Sequence, residues 1–437
     1  MPDISAFRGT LYDPTRVSLS EVMAPPYDVI DESGREKLLA KHPSNCVRLI
    51  LPSGQPEGKY EHAKNLLGDW VREGTLRRDM MPALYRYHQS FSLKGLPSTS
   101  IVRRGFIAAV RLHDFSENVI LPHERTLKGP KIDRLNLMRA TRSHFSQIFT
   151  MYADPNGSID AVFAPVTDKP APIAGTSDDG TLHELWRLDD PTSIKKIQEL
   201  MADKPLYIAD GHHRYETMLA LRRELDPSGK NKELGFGTMF LSNMDDPGLV
   251  VLPTHRLVHS LPNLDKKEFV GKVEKFFRVS DVESPVQVNN LLEELKKSGE
   301  QATSLAMTFS GSDKVQLLSL RSDVNLKSVG LDPDSPVSKL DVTLLHQIIL
   351  ETVLGIDKEA QEKQTNLSYI KDTHSALERA RHGEGQICFL MNATPLQQVK
   401  DVSDAGEVMP QKSTFFYPKI ASGIVLRELD LPLAAEG

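Results

Sequence analysis

Four residues with strand preference, Leu206-Tyr207-Ile208-Ala209, run into Asp210-Gly211, and His212-His213-Arg214-Tyr215-Glu216 then open a helical pattern. This junction of strand, tight turn and helix start constrains the chain more than any other stretch, because each part fixes the direction of the next. Upstream, Asp190 suits a helix cap and Pro191 the first helical turn, while Ile194, Ile197, Leu200 and Met201 share one face until Lys204-Pro205 ends the run. Downstream, Tyr215, Met218, Leu219 and Leu225 recur at helical spacing. The pattern predicts helix, strand, turn and helix in that order over residues 188–225.

A helix start carries N–H groups without intrahelical partners and the positive end of the helix dipole, so it attracts anions. Phosphate suits it. Gly211, His213 and Arg214 are therefore candidate phosphate-binding residues, and His212 is a candidate catalytic side chain. Gly211 permits a backbone conformation or a close approach that a side chain would prevent. Asp210 can cap the helix, accept a substrate proton or hold a magnesium ion, which makes it both a catalytic and a metal candidate. The same residues also suit a surface turn with solvated histidines.

Three other polar stretches carry chemistry of the same kind. His123, Glu124, Arg125, Lys131 and Arg134 flank Gly129-Pro130. Their cations suit phosphate, and Glu124 suits a metal ion or an acceptor hydroxyl; an internally paired surface loop is the alternative. His255 and Arg256 follow a short apolar run at Leu249–Leu252 and can contact phosphate or carboxylate, or serve as a cap or salt bridge. Between Met409 and Lys419, Lys412, Ser413 and Thr414 stand with Phe415, Phe416, Tyr417 and Lys419, so this loop offers cations, hydroxyls and flat apolar surfaces together. It reads as a lid or base-binding segment, or as an anchor for the C-terminal segment. Tyr27 and Asp28 follow Pro25-Pro26, a rigid extended segment able to present them to a ligand or simply to pack. His346 falls within an apolar helical pattern and reads as a packed or surface histidine.

A chain of 437 residues suggests more than one domain. The Pro-, Gly-, Ser- and Asp-rich stretch at 168–180 is the best boundary, dividing an N-terminal α+β domain at 1–180 from an α/β domain at 181–437 that holds the central motif and the C-terminal lid loop. Amphipathic spacing predicts a helix near 57–73, and alternating runs at 83–93 and 101–112 predict an antiparallel hairpin. The fold class is α+β, mixed and multidomain. A net charge of −6 argues against general nucleic-acid binding. Two cysteines make no disulfide framework, and no apolar run approaches a membrane span, so a cytoplasmic protein is expected, free to form a homo-oligomer.

Asp210-Gly211-His212-His213-Arg214-Tyr215 resembles the nucleotide-phosphate motif of the ParB/sulfiredoxin-like superfamily, which also includes kinases of free serine. The whole chain resembles bacterial and archaeal domain-of-unknown-function family 1015. That resemblance is carried by Ala24-Pro25-Pro26-Tyr27-Asp28, His123-Glu124-Arg125-Thr126, Gly129-Pro130-Lys131-Ile132-Asp133-Arg134, Asp210-Gly211-His212-His213-Arg214, Leu252-Pro253-Thr254-His255-Arg256 and Met409-Pro410-Gln411-Lys412-Ser413-Thr414-Phe415-Phe416-Tyr417-Pro418-Lys419. The family brings no established activity. The local motif implies a ParB/sulfiredoxin-like core at 188–225 and a nucleotide-dependent phosphotransferase acting on a small hydroxyl metabolite, free serine or a related compound. Mg2+ and a nucleoside di- or triphosphate would be its cofactors. A non-catalytic nucleotide-binding switch and a metal-dependent hydrolase are the alternatives.

Overall fold

The expected hairpin forms, and a large sheet is built on it. In this computed structural model, which describes residues 1–55, 58–93, 100–124, 128–283 and 286–430, the chain divides into two compact units. Unit 1 comprises residues 1–122, 126–250 and 418–437, and unit 2 comprises 123–125 and 251–417.

Unit 1 holds a nine-stranded sheet. Its strands are β1 (Ile4–Ser5), β2 (Leu84–Phe91), β3 (Ile101–Arg111), β4 (Ile120–Leu121), β5 (Ile148–Tyr152), β6 (Ile173–Thr176), β7 (Leu182–Leu188), β8 (Leu206–Asp210) and β9 (Phe236–Asn243). The spatial order is β4-β8-β5-β9-β3-β2-β7-β6, with β1 paired to β3. β2 and β3 pair antiparallel from Tyr85↔Ile107 to Phe91↔Ile101, while β8 is parallel to β4 and β9 is parallel to β5. Such mixing needs crossover helices as well as hairpins.

Four helices of unit 1 matter below: α1 (Lys59–Arg72), α2 (Lys128–Thr141), α3 (Pro191–Met201) and α4 (His212–Leu225). The α3 start follows its sequence signals, with the Asp190 side chain accepting from Ser193 N at 2.8 Å and Pro191 in the first turn. Ile197 and Met201 from α3, Leu206 and Ile208 from β8, and Tyr215, Met218 and Leu221 from α4 meet in one core with Phe106, Val110 and Met239 of the sheet. Helix, strand, turn and helix thus occur in the predicted order. Burying each such side chain contributes about 1.5–3 kcal/mol, which holds the junction against the entropy of its turn.

The boundary expected at residue 180 falls inside a hairpin. β6 and β7 pair antiparallel with Leu182 opposite Thr176, and Gly180, with φ of +83°, sits in their turn. The composition of 168–180 that resembled a linker therefore belongs partly to a tight turn, which draws on the same residue types. The units part instead near residue 250, and the chain returns to unit 1 from residue 418.

Unit 2 holds a six-stranded antiparallel sheet of β10 (His255–Val258), β11 (Phe277–Asp281), β12 (Ser304–Phe309), β13 (Gln316–Leu320), β14 (Leu367–Ile370) and β15 (Ile387–Met391). The order is β11-β13-β12-β15-β10-β14. Leu257, Leu291, Leu295, Ala306, Leu377 and Leu390 form its core. The helix expected from Asp341 to Gly355 is present but changes type: Asp341–Leu344 is α-helical and Leu345–Val353 is π-helical. Among the described residues, no helix is long and apolar enough to cross a membrane.

Candidate functional site

At the end of β8 the pairing with β5 is irregular between Ile208 and Asp210, a local bulge that re-aims Asp210. Gly211 follows at φ 93° and ψ 27°, a left-handed conformation that a side chain disfavours. A Cβ at Gly211 would also stand 2.9–3.0 Å from the Arg214 guanidinium. Glycine is therefore required twice, once for the backbone and once for the arginine folded over it.

That arginine is committed internally. Arg214 is 6% exposed; its Nη2 donates to Asp210 Oδ2 at 2.8 Å and its Nη1 donates to the Gln147 carbonyl. Lys419 Nζ donates to Asp210 Oδ1 at 2.5 Å. Burial alone would push the Asp210 carboxyl up, but Lys419, Arg214 and His212 outweigh it and hold the group well below the ordinary carboxylate range. Two corrections follow. Arg214 braces the turn from within and is not an open phosphate donor. Asp210 offers magnesium no open oxygen in this conformation, since both of its carboxylate oxygens accept from cations.

Lys131 and Arg134 project from α2, which packs beside α4. Lys131 pairs with Glu216 of α4. Arg134 pairs with Asp133 and donates to the Ile50 carbonyl, and its guanidinium lies 4.4 Å from the centroid of the Tyr27 ring. Asp133 also accepts from Lys59 Nζ at 2.7 Å and Tyr60 OH at 2.8 Å, both on α1. Burial raises the Tyr27 phenol above its ordinary value against the opposing pull of Arg214 and Arg134. Tyr27, Ile50, Arg134, Ser146, Arg214 and Met218 line a cleft of about 40 Å³. Ligand pockets begin near ~300 Å³, so this conformation of the cleft is closed to a nucleotide. His212 is buried, and His213 is half-buried at the helix start.

Unit 1 thus gathers three of the motif stretches, at 24–28, 131–134 and 210–214, with Lys419 from the end of the final loop. Arg103 adds a further charge. Fully buried in β3, it donates from Nη2 to Pro418 O at 2.5 Å and to Gln89 Oε1, and it acts electrostatically on Asp210. Cations outnumber carboxylates here in a chain whose net charge is −6, a local excess suited to an anion. Arg103 and Gln147 had no place in the sequence-based expectations, and Lys419, expected as a cation of the final loop, instead pairs with Asp210. The signal for Arg103 was a charge within an otherwise apolar strand run; Lys419 stood out as a cation at the end of the final loop, and Gln147 had none.

The remaining candidates fall in unit 2. His123 Nε2 lies 3.0 Å from Thr414 Oγ1, Met409 N donates to His123 O at 2.8 Å, and Glu124 bridges Met409 in parallel. Ser413 donates to Pro410 O, and its own carbonyl accepts from Thr394 Oγ1 at 2.8 Å. Arg256 is buried and donates from Nη2 to Lys412 O at 3.0 Å. The aromatics divide: Phe416 is buried, whereas Phe415 is half-buried with Lys371 Nζ 3.9 Å from its ring centroid.

His255 is corrected from ligand to scaffold. Its Nδ1 accepts from Met391 N at 3.1 Å and its Nε2 meets Thr373 Oγ1 at 2.9 Å, while burial pushes the ring down to about 4. Arg125 lies outside the described residues. Among the described residues, no three His, Cys, Asp or Glu side chains group as a cation site.

A two-unit α+β protein with an anion-suited strand–turn–helix junction is the class that these observations define. The chain belongs to the family described as protein of unknown function (DUF1015), whose model matches residues 4–343. Similar solved structures include a conserved hypothetical protein from Pyrococcus furiosus, 13% identical over 73% of this chain and 93% of that one, with a TM-score of 0.35. They also include free serine kinase in complex with AMP, at 14% identity, 74% and 91% coverage and a TM-score of 0.34. SbnI with a C-terminal truncation, from Staphylococcus aureus, is 8% identical over 72% of this chain and 85% of its own, with a TM-score of 0.33. Likenesses of this size bear on neither activity nor substrate. No curated protein matches the sequence.

Proposed function

We propose that unit 1 binds the phosphates of a nucleotide at the Gly211 end of α4 and transfers a phosphoryl group to a small hydroxyl compound. The supporting observation is the junction itself. A glycine in the left-handed region opens a 14-residue helix directly after a buried strand, amid an excess of buried and half-buried cations. Backbone N–H groups at Gly211 and His213 would meet the phosphate, with Arg134 and Lys131 at the flank and His212 behind the turn. Phosphoryl transfer depends chiefly on positioning and charge, so it needs no covalent nucleophile. Nucleotide entry requires Tyr27 and Arg134 to move apart, because together they close the cleft. Magnesium fits no Asp210 oxygen in the closed form, so no step is assigned through it. The proposed site is built on the residues of unit 1 alone; Glu124, Lys412, Ser413 and Thr414 belong to unit 2.

A second reading, a nucleotide-binding switch without turnover, is favoured by one observation. Asp210 is held by Lys419 and Arg214 and is unsuited to take a proton from an acceptor. One experiment separates the two. Wild type and His213→Ala are titrated with ATP, ADP and CTP, with and without Mg2+, and products with hydroxyl metabolites, free serine first, are identified by mass spectrometry. Binding weakened in the variant and a phosphorylated product from wild type are expected. Binding without product establishes the switch, and no nucleotide binding under any condition refutes both.

A further inference from the structure

The nine-stranded sheet of unit 1 ends at β6. Along an antiparallel ladder, hydrogen-bonded and non-bonded pairs alternate. Ser177 N donates to Thr181 O at 2.9 Å, so the backbone groups of Thr176 and Ala174, one and three residues back, point away from β7. Thr176 N agrees, donating outward to Ser20 Oγ at 2.8 Å. Ala174 is exposed, and among the described residues its outward N–H and C=O make no hydrogen bond. A bare strand edge of this kind is a template for another chain.

A cavity of about 320 Å³ opens beside that edge, lined by Ile173 and Ala174 on one side and by Tyr12, Thr15, Arg16 and Ser18 on the other. Ligand pockets begin near ~300 Å³, so it is of ligand size. The wall facing the strand is held in shape from within. Asp13 Oδ1 accepts from Thr15 N at 3.0 Å and from Thr15 Oγ1 at 2.7 Å, Asp13 O accepts from Arg16 N at 3.0 Å and Val17 N at 3.1 Å, and Arg16 Nη1 donates to Glu73 O at 2.5 Å. One end is closed. Ser20 holds the edge at Thr176, and its short helix, Leu19–Val22, lies so near β6 that a Cβ at Gly175 would stand 2.7 Å from Ser20 N and 2.9 Å from Leu19 Cβ. A strand added at Ala174 therefore has no room to run on toward Thr176, and a chain terminus fits where a continuing chain does not.

We propose that this cavity binds an extended peptide by its C-terminal end, the last residues pairing with Ala174 as an added strand and the terminal carboxylate meeting Arg16. A ligand residue opposite Ala174 exchanges two backbone hydrogen bonds with it, which gives affinity without demanding a particular side chain. The charge at the closed end selects which terminus enters. Arg16 is exposed, and among the described residues no carboxylate pairs with it: Asp13, which acts on it electrostatically, is joined to Arg77 Nη2 at 2.8 Å. A guanidinium attracts a carboxylate and repels an amino terminus. Ser18 stands beside it, its hydroxyl making no cap bond to the helix it precedes and so open to the same carboxylate. Every residue of this site lies in unit 1, and the site stands independently of the nucleotide reading.

A pool of random-sequence pentapeptides, half with free C-terminal carboxylates and half amidated, is passed over the immobilised full chain, and the retained species are identified by mass spectrometry. Free acids should be retained in preference to amides, and the most retained of them should bind saturably in a calorimetric titration. Arg16→Met should weaken that binding by about tenfold. Ala174→Pro should abolish it while leaving thermal unfolding unchanged, because proline at an edge removes only the N–H that faces away from β7. His213→Ala, at the nucleotide site, should have no effect. Amide hydrogen exchange of Ala174 in the wild-type chain gives a measure that no variant can spoil by misfolding, and it should slow at saturation with the peptide. Retention of no free-acid peptide, equal retention of acids and amides, or an Ala174 amide unprotected at saturation overturns the proposal.

Discussion

Replacing Gly211 by alanine tests the reasoning behind the junction, because two separable costs meet at one atom. The first is conformational: a φ of +93° costs an L-residue about 1–2 kcal/mol. The second is steric and electrostatic. The new Cβ meets Arg214 at 2.9–3.0 Å, and moving the guanidinium loosens its bonds to Asp210 Oδ2 and Gln147 O. Hydrogen bonds to charged groups contribute about 1.5–3 kcal/mol each, and weakening two of them without loss adds about 1–2 kcal/mol. The expected total is about 2–4 kcal/mol. Both tryptophans of the chain, Trp70 and Trp186, are buried in unit 1, so tryptophan fluorescence during urea unfolding follows this unit alone. The midpoint should fall with little change in slope. In an Arg214→Met background the steric term disappears, and Gly211→Ala should then cost only the conformational ~1–2 kcal/mol. Equal costs in both backgrounds would refute the claim that the glycine makes room for Arg214, and a total below ~1 kcal/mol would refute both parts.

Two other predictions concern half-buried carboxylates of opposite behaviour. Lys419→Met should destabilise unit 1 by about 2–3 kcal/mol at neutral pH, less than the ~3–5 kcal/mol of an orphaned buried charge, because Arg214 still pairs with Asp210. The Asp210 carboxyl is depressed in the folded chain, so its contribution is present above the unfolded value near ~3.9 and is lost as pH falls through the folded value. The variant should therefore acid-unfold at higher pH than wild type, and an unshifted acid midpoint contradicts the pairing. In unit 2, burial raises Asp341 to about 6, offset in part by Asn392, whose Nδ2 donates to Oδ2 at 3.2 Å. A raised folded value gives stability that is complete below the unfolded value and is lost as pH rises toward 6. Amide hydrogen exchange in β12 and β15 should accelerate over that window in wild type, and Asp341→Asn should remove the slope.

Local features of the fold were legible because their causes lie within a few residues. Asp190 and Pro191 announce α3, the run Leu206–Ala209 announces β8, and Gly211 marks the turn where φ becomes positive. The alternating runs that give β2 and β3 pair as read. What escaped depends on distance along the chain. Lys419 reaches Asp210 across 209 residues, and no periodicity or spacing encodes that contact. Arg214 looked like an open cation because its basic neighbours suggest an anion, while its actual acceptors, Asp210 and Gln147 O, declare themselves only in the folded backbone. His255 was misread for the same reason, since Met391 N and Thr373 arrive from far downstream. The π-helix was invisible because Leu345, Ile348, Ile349 and Val353 satisfy an α-helical pattern equally well.

The return of the chain to unit 1 at residue 418 bears on how the protein is made. Pro418 O receives Arg103, Val425 O receives Gln147, Leu426 pairs with Thr10, and Arg427 pairs with His144. A ribosome translating this message therefore emits residues 251–417 while the Asp210 turn still lacks its lysine. Unit 2, begun later, has nearly all of its chain available first. A nascent polypeptide halted before Lys419 carries the whole Asp-Gly-His-His-Arg motif, yet its carboxylate lacks one of its two cations. The turn is thus completed only after all of residues 251–417 have been made, and a product terminated before Lys419 is left with this charged junction unfinished.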